Sequence, residues 1–200
     1  TVADPLEAVR RFRAHYTVPD IHGLPRFTGG LVGYFGYETI RYVEPRLGKM
    51  VKPDIIGAPD ILLTVSDEVI VFDNLQGRLY VVIHVNPAIA DAYGKASTRL
   101  DALVVGLSES LPRAMAPENN KTVAETDFVS GFTQQGFEKA VARSLEYIRA
   151  GDIMQVVLSQ RLAIPFDAEP LDLYRALRTL NPSPYMYFMD LKDFHIVGSS

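Results

Sequence analysis

Between Ile61 and Val85 the chain turns to strand periodicity, and this stretch limits the fold more than any other. Ile61 to Val65, Glu68 to Phe72 and Arg78 to Val85 are β-branched or aromatic runs, which suit a pleated, half-buried surface. Only Asp73-Asn-Leu-Gln-Gly77 separates the last two. It reads as a hairpin loop, with glycine where a positive φ is expected. A second hairpin is expected near the end of the chain, Tyr185 to Met189 with Phe194 to Val197, around Asp190-Leu-Lys-Asp193. Strands joined by hairpins, with helices in separate runs, point to an α+β fold with antiparallel sheets packed against helices.

The helices come from spacing and caps. Leu6, Val9, Phe12 and Arg13 lie on one side of a helix from Asp4 to Tyr16, with Asp4 as cap and Pro5 as the first helical residue. A Pro/Gly-rich turn (Pro19 to Pro25), a short strand (Leu31 to Phe35) and a short helix (Tyr37 to Val43) follow. Asn86-Pro87 is expected to cap a long helix to about Ser108, with an inner stripe running from Ile89 and Tyr93 to Leu103 and Leu107. Leu111 to Ser130 carries two prolines, Asn119-Asn120 and no apolar period, so it reads as a linker. The expected division is 1–115, a linker over 116–130, and 131–200. Thr133 caps a helix closed by Gly151, and Ile153 to Ile164 is expected to be one long strand. Pro170 opens a helix to Leu180, with Leu173, Tyr174, Leu177 and Leu180 inward, and Asn181-Pro-Ser-Pro184 stops it.

Charge and composition exclude several functions. Twenty basic against 24 acidic residues leave a net charge of −4, and no run of five Lys or Arg offers the basic footprint of a nucleic-acid binder. The four histidines (15, 22, 84 and 195) are scattered and cysteine is absent, which removes Cys/His zinc frameworks, disulfides and thiol nucleophiles. No apolar run reaches the roughly 18 residues of a membrane span, and the N-terminus lacks signal-peptide character. Both ends look cut, so a soluble segment of a longer protein is expected.

Three stretches hold candidate chemistry. Glycines at 30, 33 and 36 recur in Gly29-Gly-Leu-Val-Gly-Tyr-Phe-Gly-Tyr37 without a phosphate-binding fingerprint. Close approach of another backbone is the favoured reading there. Along the expected strand from Gly151 to Arg161, Gln155, Val157, Ser159 and Arg161 share one face and Val156, Leu158 and Leu162 the other. The first face would suit a carboxylate or polyoxygenated ligand, although an edge strand with a solvated face would look the same. Asn181-Pro-Ser-Pro-Tyr-Met186 joins a stiff extended backbone to an aromatic ring and a thioether, which suits a small planar ligand. A plain helix stop leading into a core strand fits it as well.

Four stretches taken in order resemble component I of anthranilate synthase, a family of chorismate-utilising enzymes. They are Gly29 to Tyr37 with Arg41-Tyr-Val-Glu44, Glu68 to Asn74, Gly151 to Arg161, and Leu173 to Phe188 running on to Gly198-Ser-Ser200. The resemblance implies parts of a two-layered αββα-type sandwich, an N-terminal regulatory domain over 1–115 and the start of the chorismate-binding domain over 131–200. It further implies addition of ammonia to chorismate with Mg²⁺ and loss of pyruvate to give anthranilate. A glutamine amidotransferase subunit supplying the ammonia, a hetero-oligomer and a cytoplasmic location go with that activity. The family's Pro-Tyr-Met in its tryptophan feedback site matches Pro184, Tyr185 and Met186. In isochorismate and salicylate synthases, the relatives that add water, the position matching Gln155 looks like a lysine acting as general base, and a neutral amide cannot take up a proton. That favours the ammonia-using branch and places Gln155 near the nucleophile's approach. An aminodeoxychorismate synthase-type enzyme is the near rival, and a non-catalytic tryptophan-binding module the alternative of another class. The family's Mg²⁺-binding glutamates are expected beyond position 200, so the 200 residues alone are expected to be inactive.

Overall fold

The computed structural model describes residues 4–49, 53–110 and 122–200. The chain divides into two units, Thr1–Arg113 and Ala114–Ser200. Both mix helices with antiparallel strands, so the fold is α+β, and among the described residues the strands pair as four two-stranded sheets.

In the first unit, α1 (Pro5–Ala14) begins as its caps dictate. The Asp4 carboxylate accepts from the backbone N–H groups of Leu6 at 2.9 Å and Glu7 at 3.1 Å, satisfying donors that no helical carbonyl can reach. Strand β1 (Gly30–Phe35) pairs antiparallel with β2 (Ile61–Ser66), from Gly30↔Ser66 to Phe35↔Ile61. At Gly33 an added Cβ would strike the Leu62 carbonyl; the backbone approach expected from the glycine run occurs there. The short helix after β1 is a 3-10 turn, Tyr37–Tyr42. An ion pair from Arg41 to Asp60 fastens that turn to the start of β2.

The hairpin of β3 (Glu68–Asp73) and β4 (Arg78–Ile83) closes through Asp73, whose carboxylate accepts from Leu75 N at 3.1 Å and Gln76 N at 2.9 Å. Gly77 takes the expected positive φ, at 63°. Helix α2 (Ala92–Ser108) lies against β4, and Arg99 forks onto Glu68 at 2.9 and 2.8 Å. The long helix therefore starts later than Asn86-Pro87. Asn86 uses its side chain to accept from Ala88 N at 3.0 Å, Ile89 N donates back to Asn86 O at 3.0 Å, and Asp91 sits left-handed at φ 53°. This local turn competes with helix and wins, leaving Ile89 outside the stripe. Tyr93, 85% exposed, and Leu107 are not covered either, so the expected inner face is narrower than the sequence spacing suggests.

In the second unit, a 3-10 turn (Glu125–Asp127) leads into β5 (Val129–Ser130), which pairs with β6 (Leu162–Ala163). Helix α3 (Gln134–Ala150) starts where the Thr133 hydroxyl accepts from Gly136 N at 3.1 Å and ends at Gly151, φ 81°. The long strand expected over 153–164 is a correction. Only Leu162–Ala163 finds a ladder partner, and residues 153–161 have none among the described residues. A strand needs a neighbour to satisfy its backbone, and past the two residues of β5 the pairing reaches no further than Gly131 N, which donates to Arg161 O at 3.4 Å. Met154 is accordingly 98% exposed and Val157 80% exposed.

Helix α4 (Pro170–Leu180) lies on the hairpin of β7 (Met186–Asp190) and β8 (His195–Ser199). Tyr174 meets Phe188 at 6.1 Å between ring centroids, and Phe188 stacks on His195 at 5.6 Å. Leu180 is not inward: it is 81% exposed, one turn beyond the half-buried Leu177, outside the face the hairpin covers. Among the described residues no side chain is fully buried, so both units keep apolar faces open. No described helix is long and apolar enough to cross a membrane.

Candidate functional site

Proline chemistry shapes the segment between α4 and β7. Helix α4 stops because Asn181 leaves helical geometry at φ −139°, ψ 67°, as expected for a residue preceding proline. Pro182 and Pro184 bring no backbone donors of their own, and the chain turns at Pro184 and Tyr185, where the sequence predicts an extended run. Within the loop the Ser183 hydroxyl accepts from Tyr185 N at 3.2 Å. The return comes at Met186, which opens β7 and pairs with Ser199 of β8. Pro184 and Tyr185 are exposed, Tyr185 by 76%, while Met186 is half-buried. The three residues singled out in the sequence thus sit together at the open end of one hairpin.

Asn181 and Ser199 belong to the same constellation. The Ser199 hydroxyl donates to Asn181 O at 2.8 Å and accepts from Asn181 Nδ2 at 3.4 Å. Sequence reasoning treated Asn181 as a helix stop and passed over Ser199. An asparagine just past a helix was a usable local signal. Ser199 had none, since pairing across a hairpin brings it there.

Gln155 lies elsewhere, exposed on the unpaired run between α3 and β6. The alternating face expected for Gln155, Val157, Ser159 and Arg161 has no sheet to define it. Gln160 of the same run reaches the Ser130 hydroxyl at 3.3 Å.

Two apolar clefts open in the first unit. One, of about 280 Å³, lies between α1 and the β1–β2 pair and is lined by Ala8, Val9, Phe12, Leu31, Leu63 and Val65. The other, of about 520 Å³, lies beside the Tyr37–Tyr42 turn. The first has no polar side chain with which to orient a ligand, and a specific site needs a few. Ionised side chains here mostly serve the fold. Arg99 holds the Glu68 carboxyl below the usual range by hydrogen bonding, and Arg46 does the same to Glu44. The N–H groups of Gly57 and Ile56 lower Asp54 in the same way. Among the described residues no group of three or more His, Asp or Glu is placed to hold a metal ion.

Similarity to known proteins extends over the whole chain. The family model described as chorismate binding enzyme matches residues 1–200. Anthranilate synthase component 1 of Pseudomonas putida is 53% identical, covering 100% of this chain and 41% of that protein. The protein of the same name from Acetivibrio thermocellus is 36% identical, over 98% of this chain and 40% of its own length. A crystal structure of anthranilate synthase component I from Streptococcus pneumoniae TIGR4 matches with a TM-score of 0.78 at 30% identity, covering 100% of this chain and 44% of that one. The chain thus spans about two fifths of the length of the curated relatives it matches. The resemblance read from four separated stretches holds from end to end, and on that match the chain belongs to the chorismate binding enzyme family.

Proposed function

We propose that this chain forms part of an anthranilate synthase large subunit, in which ammonia adds to chorismate and pyruvate and water leave. The balance closes: chorismate and ammonia supply every atom of anthranilate, pyruvate and one water. One observation carries the reading. The four motif stretches stand in family order within an end-to-end match to relatives named anthranilate synthase component 1. On this reading residues 1–115 belong to a regulatory domain, 116–130 to a linker and 131–200 to the start of the chorismate-binding domain. A glutamine amidotransferase subunit supplies the ammonia in a cytoplasmic hetero-oligomer.

Each site residue has a part consistent with its chemistry. Gln155 offers an amide that hydrogen-bonds but cannot deprotonate water. Unprotonated ammonia is already a nucleophile and needs no such base. Pro184, Tyr185 and Met186 are proposed to contact L-tryptophan as feedback inhibitor. A stiff loop presenting an exposed ring and a half-buried thioether supports that reading, because little loop entropy remains to be lost on binding. Mg²⁺ is implied by the family, and when bound it would polarise oxygen atoms of the substrate. The described residues do not fit a Mg²⁺ site.

Anthranilate is fluorescent, which makes the test direct. Protein of the relatives' full length carrying these residues, given chorismate, ammonium and Mg²⁺, should develop anthranilate emission. Absence of product under those conditions refutes the assignment. The 200 residues alone are expected to yield none.

A further inference from the structure

Ser199 meets both ends of the 181–186 loop at once. Its backbone pairs with Met186, where the loop enters β7. Its hydroxyl donates to the Asn181 carbonyl at 2.8 Å and accepts from the Asn181 side-chain amide at 3.4 Å, where the loop leaves α4. Asn181 in turn donates its own N–H to Leu177 O at 2.8 Å, which ties the clamp to the helix. Between these anchors Pro182 and Pro184 donate nothing, and inside the loop Tyr185 N donates to Ser183 Oγ at 3.2 Å. The loop's placement therefore depends on its two ends. We propose that Ser199 is a positioning residue, whose hydroxyl sets where Pro184, Tyr185 and Met186 stand for an incoming planar amino-acid ligand. This rests on the tryptophan reading of the same loop and adds to it a residue that touches no ligand.

The chemistry is specific to a hydroxyl. One oxygen must donate to a carbonyl and accept from an amide together, which alanine cannot do and threonine can. Threonine also suits a strand position.

The test measures L-tryptophan binding by equilibrium dialysis in the full-length protein, for wild type, Ser199→Ala, Ser199→Thr and Met186→Ala. Amide hydrogen exchange over the peptide containing residues 181–186 is read alongside. Ser199→Ala should weaken binding about fivefold, the worth of one net hydrogen bond, and speed exchange in that peptide. Ser199→Thr should restore both. Wild-type affinity and exchange in Ser199→Ala, while Met186→Ala loses binding, would overturn the clamp and leave the tryptophan reading standing. No binding by wild type would overturn the tryptophan reading, and the ligand role of Ser199 with it. Weakened binding in Ser199→Ala that Ser199→Thr fails to restore would also overturn the hydroxyl's role.

Discussion

Gly33 and Gly106 should respond to alanine with opposite signs, although both are glycines of the first unit in regular structure. At Gly33, in the interior of β1, a Cβ would meet three backbone atoms of β2. They are the Leu62 carbonyl oxygen, its carbon at 2.9 Å and Leu63 Cα at 3.0 Å. Backbone cannot rotate aside as a side chain can, so the six-pair β1–β2 ladder has to spread. Overpacking of this kind costs about 1–3 kcal/mol. With a urea slope of about 1–3 kcal/mol per molar, a loss near 2 kcal/mol lowers the unfolding midpoint by about 1 M. Gly106 lies in α2 with nothing within 4 Å of an added Cβ. Alanine there only removes backbone freedom from the unfolded chain and should stabilise by about 0.5–1 kcal/mol. Urea unfolding followed by circular dichroism reads both variants. A Gly33→Ala midpoint equal to or above wild type would refute the close-approach argument. A fall in Gly106→Ala would refute the reading that a Cβ there meets open space.

Three further outcomes follow from single contacts. Glu68→Gln should lower stability at neutral pH, because the Arg99-held carboxylate is depressed and its contribution exists above the ordinary glutamate value of about 4.3. That contribution disappears as pH falls through the lowered folded value, so wild-type and variant melting temperatures should converge in acid, and a constant gap down to pH 2 would refute the linkage. Met186→Ala should raise the L-tryptophan concentration needed for inhibition about tenfold, the worth of a partly buried thioether contact, and far more than it changes KM for chorismate; parallel loss of rate and inhibition would make the residue structural. Gln155→Lys should reduce ammonia-dependent anthranilate formation about tenfold or more by placing a cation, and a potential base, near the incoming nucleophile. An unchanged fluorescence rate would place this position away from the reacting atoms.

What could be read in advance was governed by neighbours within a few residues. Asp4 and Thr133 cap helices, and Gly77 and Gly151 take positive φ, through interactions spanning two to four positions. Residue type alone carries that information. The same local logic explains the late start of α2. Asn86 and Asp91 are turn-forming residues, and an apolar stripe extrapolated through them ignored the competing Asn86 side-chain bond to Ala88 N.

The run from Ile153 to Arg161 was illegible for the opposite reason. Its composition suits a strand, but a strand exists only with a partner, and pairing is decided by residues far along the chain. Here β5 supplies a partner for Leu162 and Ala163 alone, so the alternation around Gln155 never acquires a face. The 181–186 loop combines both cases. Its prolines, legible in sequence, stiffen it. Its position comes from Ser199, eighteen residues on from Asn181 and brought back by the β7–β8 hairpin. A stiff loop moves as a body, so one distant hydroxyl can govern a whole ligand-contacting edge. In a flexible loop the same hydroxyl would order only the residue it touches. The two prolines are therefore what give Ser199 its leverage, and exchanging them for alanine should uncouple the loop from its clamp.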